Sequence, residues 1–222
     1  RQFDPKFDGI MQETCVTVTW IKLCFQLLRL TGDSVYADEI EKSVYNALYG
    51  AVNTENSQNN CGFPFDSYSP LILNKRGRAV GGEQRLPDGT VLYGCCAAIG
   101  AAGIGIVPEL CMQQSKSGIA VTLYAEGEYN LKTPLNNNIK LVVETNYPVD
   151  GEVKITLDST AKEEFEIRLR IPKFSINTLV TVCGDQISAS AGEYLSLKRK
   201  WASGDVIKLV VDMSPRIIHP IG

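Results

Sequence analysis

A chain of 222 residues is long enough for one large domain or two modest ones, each with a real core. With 44% hydrophobic and 21% charged residues, it has the composition of a globular protein, and its apolar runs are interrupted before they could cross a bilayer. Lys and Arg number 22 against 25 Asp and Glu, a net charge of −3 that gives no footprint for nucleic acid or anionic lipid and leaves a small neutral ligand as the default.

The opening "RQFDPKFDGIMQETC" has neither an initial Met nor a signal-peptide pattern and reads as the middle of a longer or processed chain. Localisation therefore stays open between the cytoplasm and the periplasm or exterior. In "ETCVTVTWIKLCFQLLRL", residues 13–30, Ile21, Cys24, Phe25 and Leu28 fall at helical spacing, which predicts a mostly buried helix with Trp20 in the core. It should stop at Thr31-Gly32, after which Asp33 or Ser34 caps an amphipathic helix whose core face carries Tyr36, Ile40, Val44 and Leu48. The two make an antiparallel helical hairpin.

Residues 53–94 are rich in Asn, Gly, Pro and aromatic residues and read as a long, functional loop with one β-hairpin. A third helix should start at Cys95-Cys96 and run to about Met112, its Ala and Gly content suited to close packing against a neighbour. After Ser117, seven alternating runs separated by Gly, Pro, Asn or Asp predict an antiparallel β-sandwich, with Trp201 in its core. The expected organisation is α+β and multidomain: helices and the long loop in 1–114, the sandwich in 115–222.

Seven cysteines without a framework spacing are unlike a disulfide-stapled domain. Cys24, Cys111 and Cys183 sit in periodic apolar contexts and read as packing residues; Cys61 lies in the loop with no assigned role. Cys95 and Cys96 cannot bridge each other without strain, so they are either one buried small hydrophobe and an incidental neighbour, or thiols placed at a helix N-terminus, where the dipole favours thiolate. Glu13 and Cys15 have the same two readings, a helix-capping acid beside a core thiol or a second donor pair. Converged, Glu13, Cys15, Cys95 and Cys96 would be one carboxylate and three thiolates, a ligand set for tetrahedral zinc. Tyr68 and Tyr93, with Phe63 or Phe65, either line a sugar pocket or cover a core edge. His219 reads as a tail residue, and Asp4, Asp8 and Glu83 have no spacing that gives them a role.

Together, "ETCVTVTWIKLCFQLLRLTGDSVYADEIEKSVYNALYGA", "YSPL" at 68–71, the Cys95-Cys96 pair, "IRLRIP" at 167–172 and "GEYLSLKRKWASGD" at 192–205 resemble glycoside hydrolase family 127, the β-L-arabinofuranosidase-like enzymes. The resemblance implies the later helices of an (α/α)6 barrel followed by a β-sandwich. It also implies a retaining glycosidase in which Glu13, Cys15, Cys95 and Cys96 hold zinc and Cys95 is the nucleophile, with an L-arabinofuranoside or related plant glycan as substrate. The family's acid/base glutamate would fall upstream of Arg1, so the 222 residues by themselves are expected to be inactive. The apolar faces of the first two helices would then need the missing N-terminal part of the barrel, or a dimer partner, to cover them. The alternative is a non-catalytic carbohydrate-binding or accessory sandwich with residual helices.

Overall fold

A short strand, β1 (Ile10–Glu13), runs directly into helix α1 (Thr14–Thr31), and Gly32 closes that helix in the left-handed conformation, φ 69°, its amide donating to the Leu28 carbonyl. The computed structural model describes residues 10–52, 65, 68–70, 84–85, 91–92, 95–159 and 163–217. They fall into two compact units, one within 1–32 and 39–108, the other comprising 33–38 and 109–222.

In the first unit α1 buries Thr17, Val18, Ile21, Cys24 and Leu28 along one face, the helical period expected. Trp20 is a correction. It is 43% exposed and lies at the edge of a second, outward apolar stripe with Val16, Leu23 and Leu30, because it sits about 100° around the helix from Ile21, at the margin of the buried face.

The second predicted helix is one element in three winding states: α2 (Ser34–Lys42), a π-helical turn (Ser43–Leu48) and a 3-10 turn (Tyr49–Ala51). Asp33 accepts a hydrogen bond from the Val35 amide, the capping role expected of it. Ile40, Val44 and Leu48 are buried, whereas Tyr36 is half-buried and Ala37 takes the core position beside it.

Two short strands of the loop, β3 (Gln84–Arg85) and β4 (Val91–Leu92), form an antiparallel hairpin, and β2 (Tyr68–Pro70) pairs antiparallel with β1. Helix α3 (Cys95–Cys111) follows. Its glycines permit the close packing expected: a Cβ on Gly103 would lie 2.6 Å from Val18 Cγ2 and 3.1 Å from Leu48 Cδ1, and one on Gly100 would lie 2.7 Å from the Phe65 ring. Gly103→Ala should therefore lower the unfolding free energy by about 1–2 kcal/mol, overpacking outweighing the gain in helix propensity. Denaturant titration checks this, and an unchanged midpoint would contradict it.

The second unit is built on two sheets. One has four strands in the order β13 (Tyr194–Trp201), β10 (Glu163–Arg170), β6 (Gly118–Val121), β5 (Met112–Gln114). The other has six, in the order β12 (Asp185–Ile187), β11 (Leu179–Val182), β14 (Val206–Val210), β9 (Glu152–Ser159), β8 (Asn138–Thr145), β7 (Gly127–Lys132).

Alternation selects the buried face: β9 buries Val153, Ile155 and Leu157 and β10 buries Phe165, Ile167 and Leu169, while Trp201 is fully buried and donates its indole N–H to the Phe165 carbonyl. The sheets are not wholly antiparallel, as the sequence suggested. The chain leaves β6 for three strands of the other sheet and returns at β10, which therefore pairs with β6 in parallel. Gly118 makes that pairing possible, since a Cβ there would lie 1.8 Å from the Glu166 carbonyl oxygen. Cys183 is a further correction: with Gly184 it forms the turn between β11 and β12, at φ 51° and 99°, and its thiol is exposed rather than packed. "LVTVCGDQI" is two strands, not one.

The buried charged side chains Arg170 and Glu163 of this unit are paired, whereas the buried Thr156 hydroxyl has no hydrogen-bond partner among the described residues. The Arg170 guanidinium, 0% exposed, donates from Nε to the Thr122 carbonyl at 2.8 Å and from Nη1 to Asp38 Oδ1 at 2.6 Å. Glu163 accepts from the Leu135 amide on Oε1 and from Asn137 Nδ2 on Oε2, both at 3.0 Å.

Burial pushes the Glu163 carboxyl up, but hydrogen bonds from the Thr133 and Asn137 side chains and the Leu135 amide outweigh it and hold the group below its ordinary value. A depressed carboxyl stabilises the fold above the unfolded pKa and loses that contribution as pH falls through the folded value. Glu163→Gln should cost about 1–3 kcal/mol at pH 7, because one donor is left facing an amide N–H, and should flatten the acid limb of stability. Unfolding midpoints at neutral pH and below the carboxyl range check both parts.

Candidate metal centre

Glu13 is the N-cap of α1, in extended conformation (φ −116°, ψ 130°), and its side chain makes no capping hydrogen bond. Glu13 therefore stands at the helix start, as its capping reading expected, but no hydrogen bond from its side chain closes the cap. Residues two apart point to different sides of a helix, but a strand-to-helix junction lets Glu13 and Cys15, the second helical residue, converge. Thr17 Oγ1 donates to the Glu13 carbonyl at 3.2 Å and Thr19 Oγ1 to the Cys15 carbonyl at 2.8 Å, so side chains one turn on tie down the backbone of both. Across the site, Cys95 and Cys96 open α3.

The structure brings the four together: one carboxylate oxygen and three sulfurs all lie within 4.8 Å of one another. Cys15 Sγ is 3.3 Å from Cys95 Sγ, to which it donates, and 3.4 Å from Cys96 Sγ. These separations exceed a disulfide bond of about 2.05 Å and approach the roughly 3.8 Å edge of a tetrahedral zinc-thiolate shell. Cys95 is exposed, Cys15 half-buried and Cys96 buried at 2%.

Burial raises the Cys15 thiol well above the ordinary range, and its hydrogen bonds with Cys95 and Cys96, with their charge, push the same way. Sulfurs packed this closely cannot ionise together unless a cation sits among them. The two helix N-termini that meet there supply only partial positive charge. The donor set fits a soft divalent ion, and these four residues are the ones that could hold it.

The other sequence candidates fare differently. Tyr68 stands opposite Glu13 in the β1–β2 ladder, which places its backbone beside the cluster. Tyr93, Phe63, Cys61, His219, Asp4, Asp8 and Glu83 lie outside the described residues. Cys24 and Cys111 are buried thiols raised by that burial, as packing residues should be. Sequence reasoning missed Thr17 and Thr19, whose only signal is a hydroxyl one helical turn after each donor.

Residues 4–65 match the family model of the β-L-arabinofuranosidase GH127 catalytic domain, and residues 118–213 match that of the GH127 middle domain. The chain belongs to glycoside hydrolase family 127. The Cys95-Cys96 pair falls between the two matched stretches. Among solved structures, the GH127 member is similar to a GH127 β-L-arabinofuranosidase from Geobacillus stearothermophilus, at 24% identity and TM-score 0.69 over 90% of this chain and 31% of that one. It is similar to a glycoside hydrolase at 25% identity and TM-score 0.68, over 90% of this chain and 32% of the other. A GH127 β-arabinofuranosidase aligns at 23% identity and TM-score 0.72, again over 90% and 32%. The chain thus spans about a third of the length of the structures it matches. No curated protein matches it.

Proposed function

We propose that this chain is part of a retaining glycosidase acting on β-L-arabinofuranosides or related plant glycans. In this reading zinc is held by Glu13, Cys15, Cys95 and Cys96, and Cys95 is the nucleophile. The observation that carries the reading is the convergence of one carboxylate and three sulfurs within 4.8 Å, drawn from two helix starts 80 residues apart. Bound there, zinc would supply the positive charge that keeps the sulfurs deprotonated at neutral pH.

Cys95, the exposed thiol of the pair, is the sulfur a sugar can reach, whereas buried Cys96 serves as an anchor. Cys95 Sγ attacks the anomeric carbon, the glycosidic bond breaks, and a thioglycosyl enzyme is left for water to hydrolyse. Protonating the leaving oxygen and activating that water takes a carboxyl group, which on the family's pattern lies upstream of Arg1. The 222 residues by themselves are therefore proposed to leave unactivated glycosides intact.

Tyr68 and Tyr93 are proposed pocket-lining residues, Tyr68 on the strength of its register against Glu13. The outward stripe of Val16, Trp20, Leu23 and Leu30 on α1 is proposed to pack against further helices of an (α/α)6 barrel. A groove on the second unit lined by Glu126, Glu144, Asn146, Lys154 and Lys208 has no aromatic face to stack a sugar, so this groove does not favour the accessory-module alternative.

Elemental analysis of the purified chain tests the site. One zinc per chain is expected, with affinity reduced at least about 100-fold in Glu13→Ala and Cys15→Ser, since changes merely next to a ligand already cost 10 to 100-fold. Zinc retained equally by both variants would remove the assignment.

A further inference from the structure

The same sulfurs carry a second chemistry when no metal is present. Cys15 Sγ lies 3.3 Å from Cys95 Sγ and 3.4 Å from Cys96 Sγ, so side-chain rotation closing about 1.3 Å would bring either pair to bonding distance. Exposure separates them: Cys95 is open to solvent, whereas Cys96 is 2% exposed. A Cys95–Cys96 bridge would strain the peptide between neighbours.

We propose that Cys95 is an oxidation site with Cys15 as its resolving thiol. A hydroperoxide then converts the metal-free centre to a reversible Cys15–Cys95 disulfide. The proposal concerns the cluster read above as the metal site, but it rests on sulfur geometry and exposure rather than on the metal.

The oxidant is hydrogen peroxide or an organic hydroperoxide. Cys95 sulfur attacks one peroxide oxygen, an S–O bond forms as the O–O bond breaks, and the departing oxygen leaves with the thiol proton as water or alcohol. Cys15 sulfur next attacks the Cys95 sulfenic sulfur. The S–S bond forms, the S–O bond breaks, and hydroxide takes the Cys15 proton and leaves as water. Two thiols are oxidised, one peroxide is reduced, and a dithiol reductant reverses the change. The bridge removes two of the four donors, so the oxidised chain cannot assemble the metal centre. Metal occupancy and oxidation are mutually exclusive states of one cluster.

The test uses the full chain, stripped of metal with a chelator, treated with one equivalent of hydrogen peroxide, alkylated and digested with trypsin without reduction. The expected result is a loss of about 2 Da in intact mass. It should come with a linkage between tryptic peptides 7–22 and 86–116, which carry Cys15 and the Cys95-Cys96 pair. Cys111 shares the second peptide, so the link should persist in Cys96→Ser and in Cys111→Ser and vanish in Cys95→Ser. In Cys15→Ser, Cys95 should instead stop at the sulfenic acid and be trapped by dimedone.

A link that survives Cys95→Ser, or wild-type protein in which dimedone labels Cys95 while Cys15 is still alkylated, would overturn the proposal. Zinc content of untreated protein is read separately. A bridge in a chain that never binds zinc would sink the metal reading alone, and bound zinc with no bridge after stripping would sink this one alone.

Discussion

In a longer protein containing this chain, Cys95→Ser should lower kcat for an aryl β-L-arabinofuranoside at least about 1,000-fold, the scale on which losing a covalent nucleophile is felt. A serine hydroxyl stays protonated where a thiol can ionise, and the carboxylate beside it, Glu13, would be engaged by the metal in this reading. The proposed nucleophile is also the exposed member of the pair, so the substitution removes the reacting atom without opening a core cavity. Cys96→Ser gives the contrast: its sulfur is 2% exposed and cannot meet the sugar, so its loss should act through weakened metal binding and be partly offset by added zinc. Comparable losses in the two variants, both rescued by zinc, would take the nucleophile role from Cys95.

Arg170→Leu should have the largest effect on stability, about 3–5 kcal/mol, toward the lower end because Asp38 retains some contact with water. The guanidinium is fully buried, and its removal leaves the Thr122 carbonyl without that donor and the Asp38 carboxylate with only the Lys173 amide, at 3.3 Å, among the described residues. Asp38→Asn in the same chain should restore part of the loss, because a neutral amide costs less than a stranded charge. Denaturant unfolding of the single and double variants reads both. A single variant within about 0.5 kcal/mol of the parent would mean that the pair contributes no net stability.

What the sequence made legible follows from period. α1, α2 and the strands after Ser117 carry 3.6- and 2-residue patterns that specify buried faces, and Gly32 and Asp33 mark a helix stop and start with their own backbone chemistry. Trp20 was misplaced because α1 is apolar on two faces, and period alone does not say which meets the core. The parallel β6–β10 pair was hidden because strand direction depends on the path between sheets, not on alternation. Cys183 misled by sitting between two good strand segments, although the following Gly184 was the turn signal.

At the site, the donor types could be read from Glu13, Cys15, Cys95 and Cys96, but their convergence could not. It depends on the junction at Glu13, which breaks helical spacing, and on the packing of α3 against α1 through Gly103.

The most direct measurement is mass spectrometry of the zinc-loaded chain after brief exposure to 2,4-dinitrophenyl β-L-arabinofuranoside. That leaving group departs without a proton donor, so glycosylation can proceed even if the acid/base residue lies elsewhere, and hydrolysis of the product should lag. The account predicts one pentosyl increment per chain, mapped to Cys95 and absent in Cys95→Ser. An increment on a carboxylate, or none on any thiol while the aryl group is released, would contradict it.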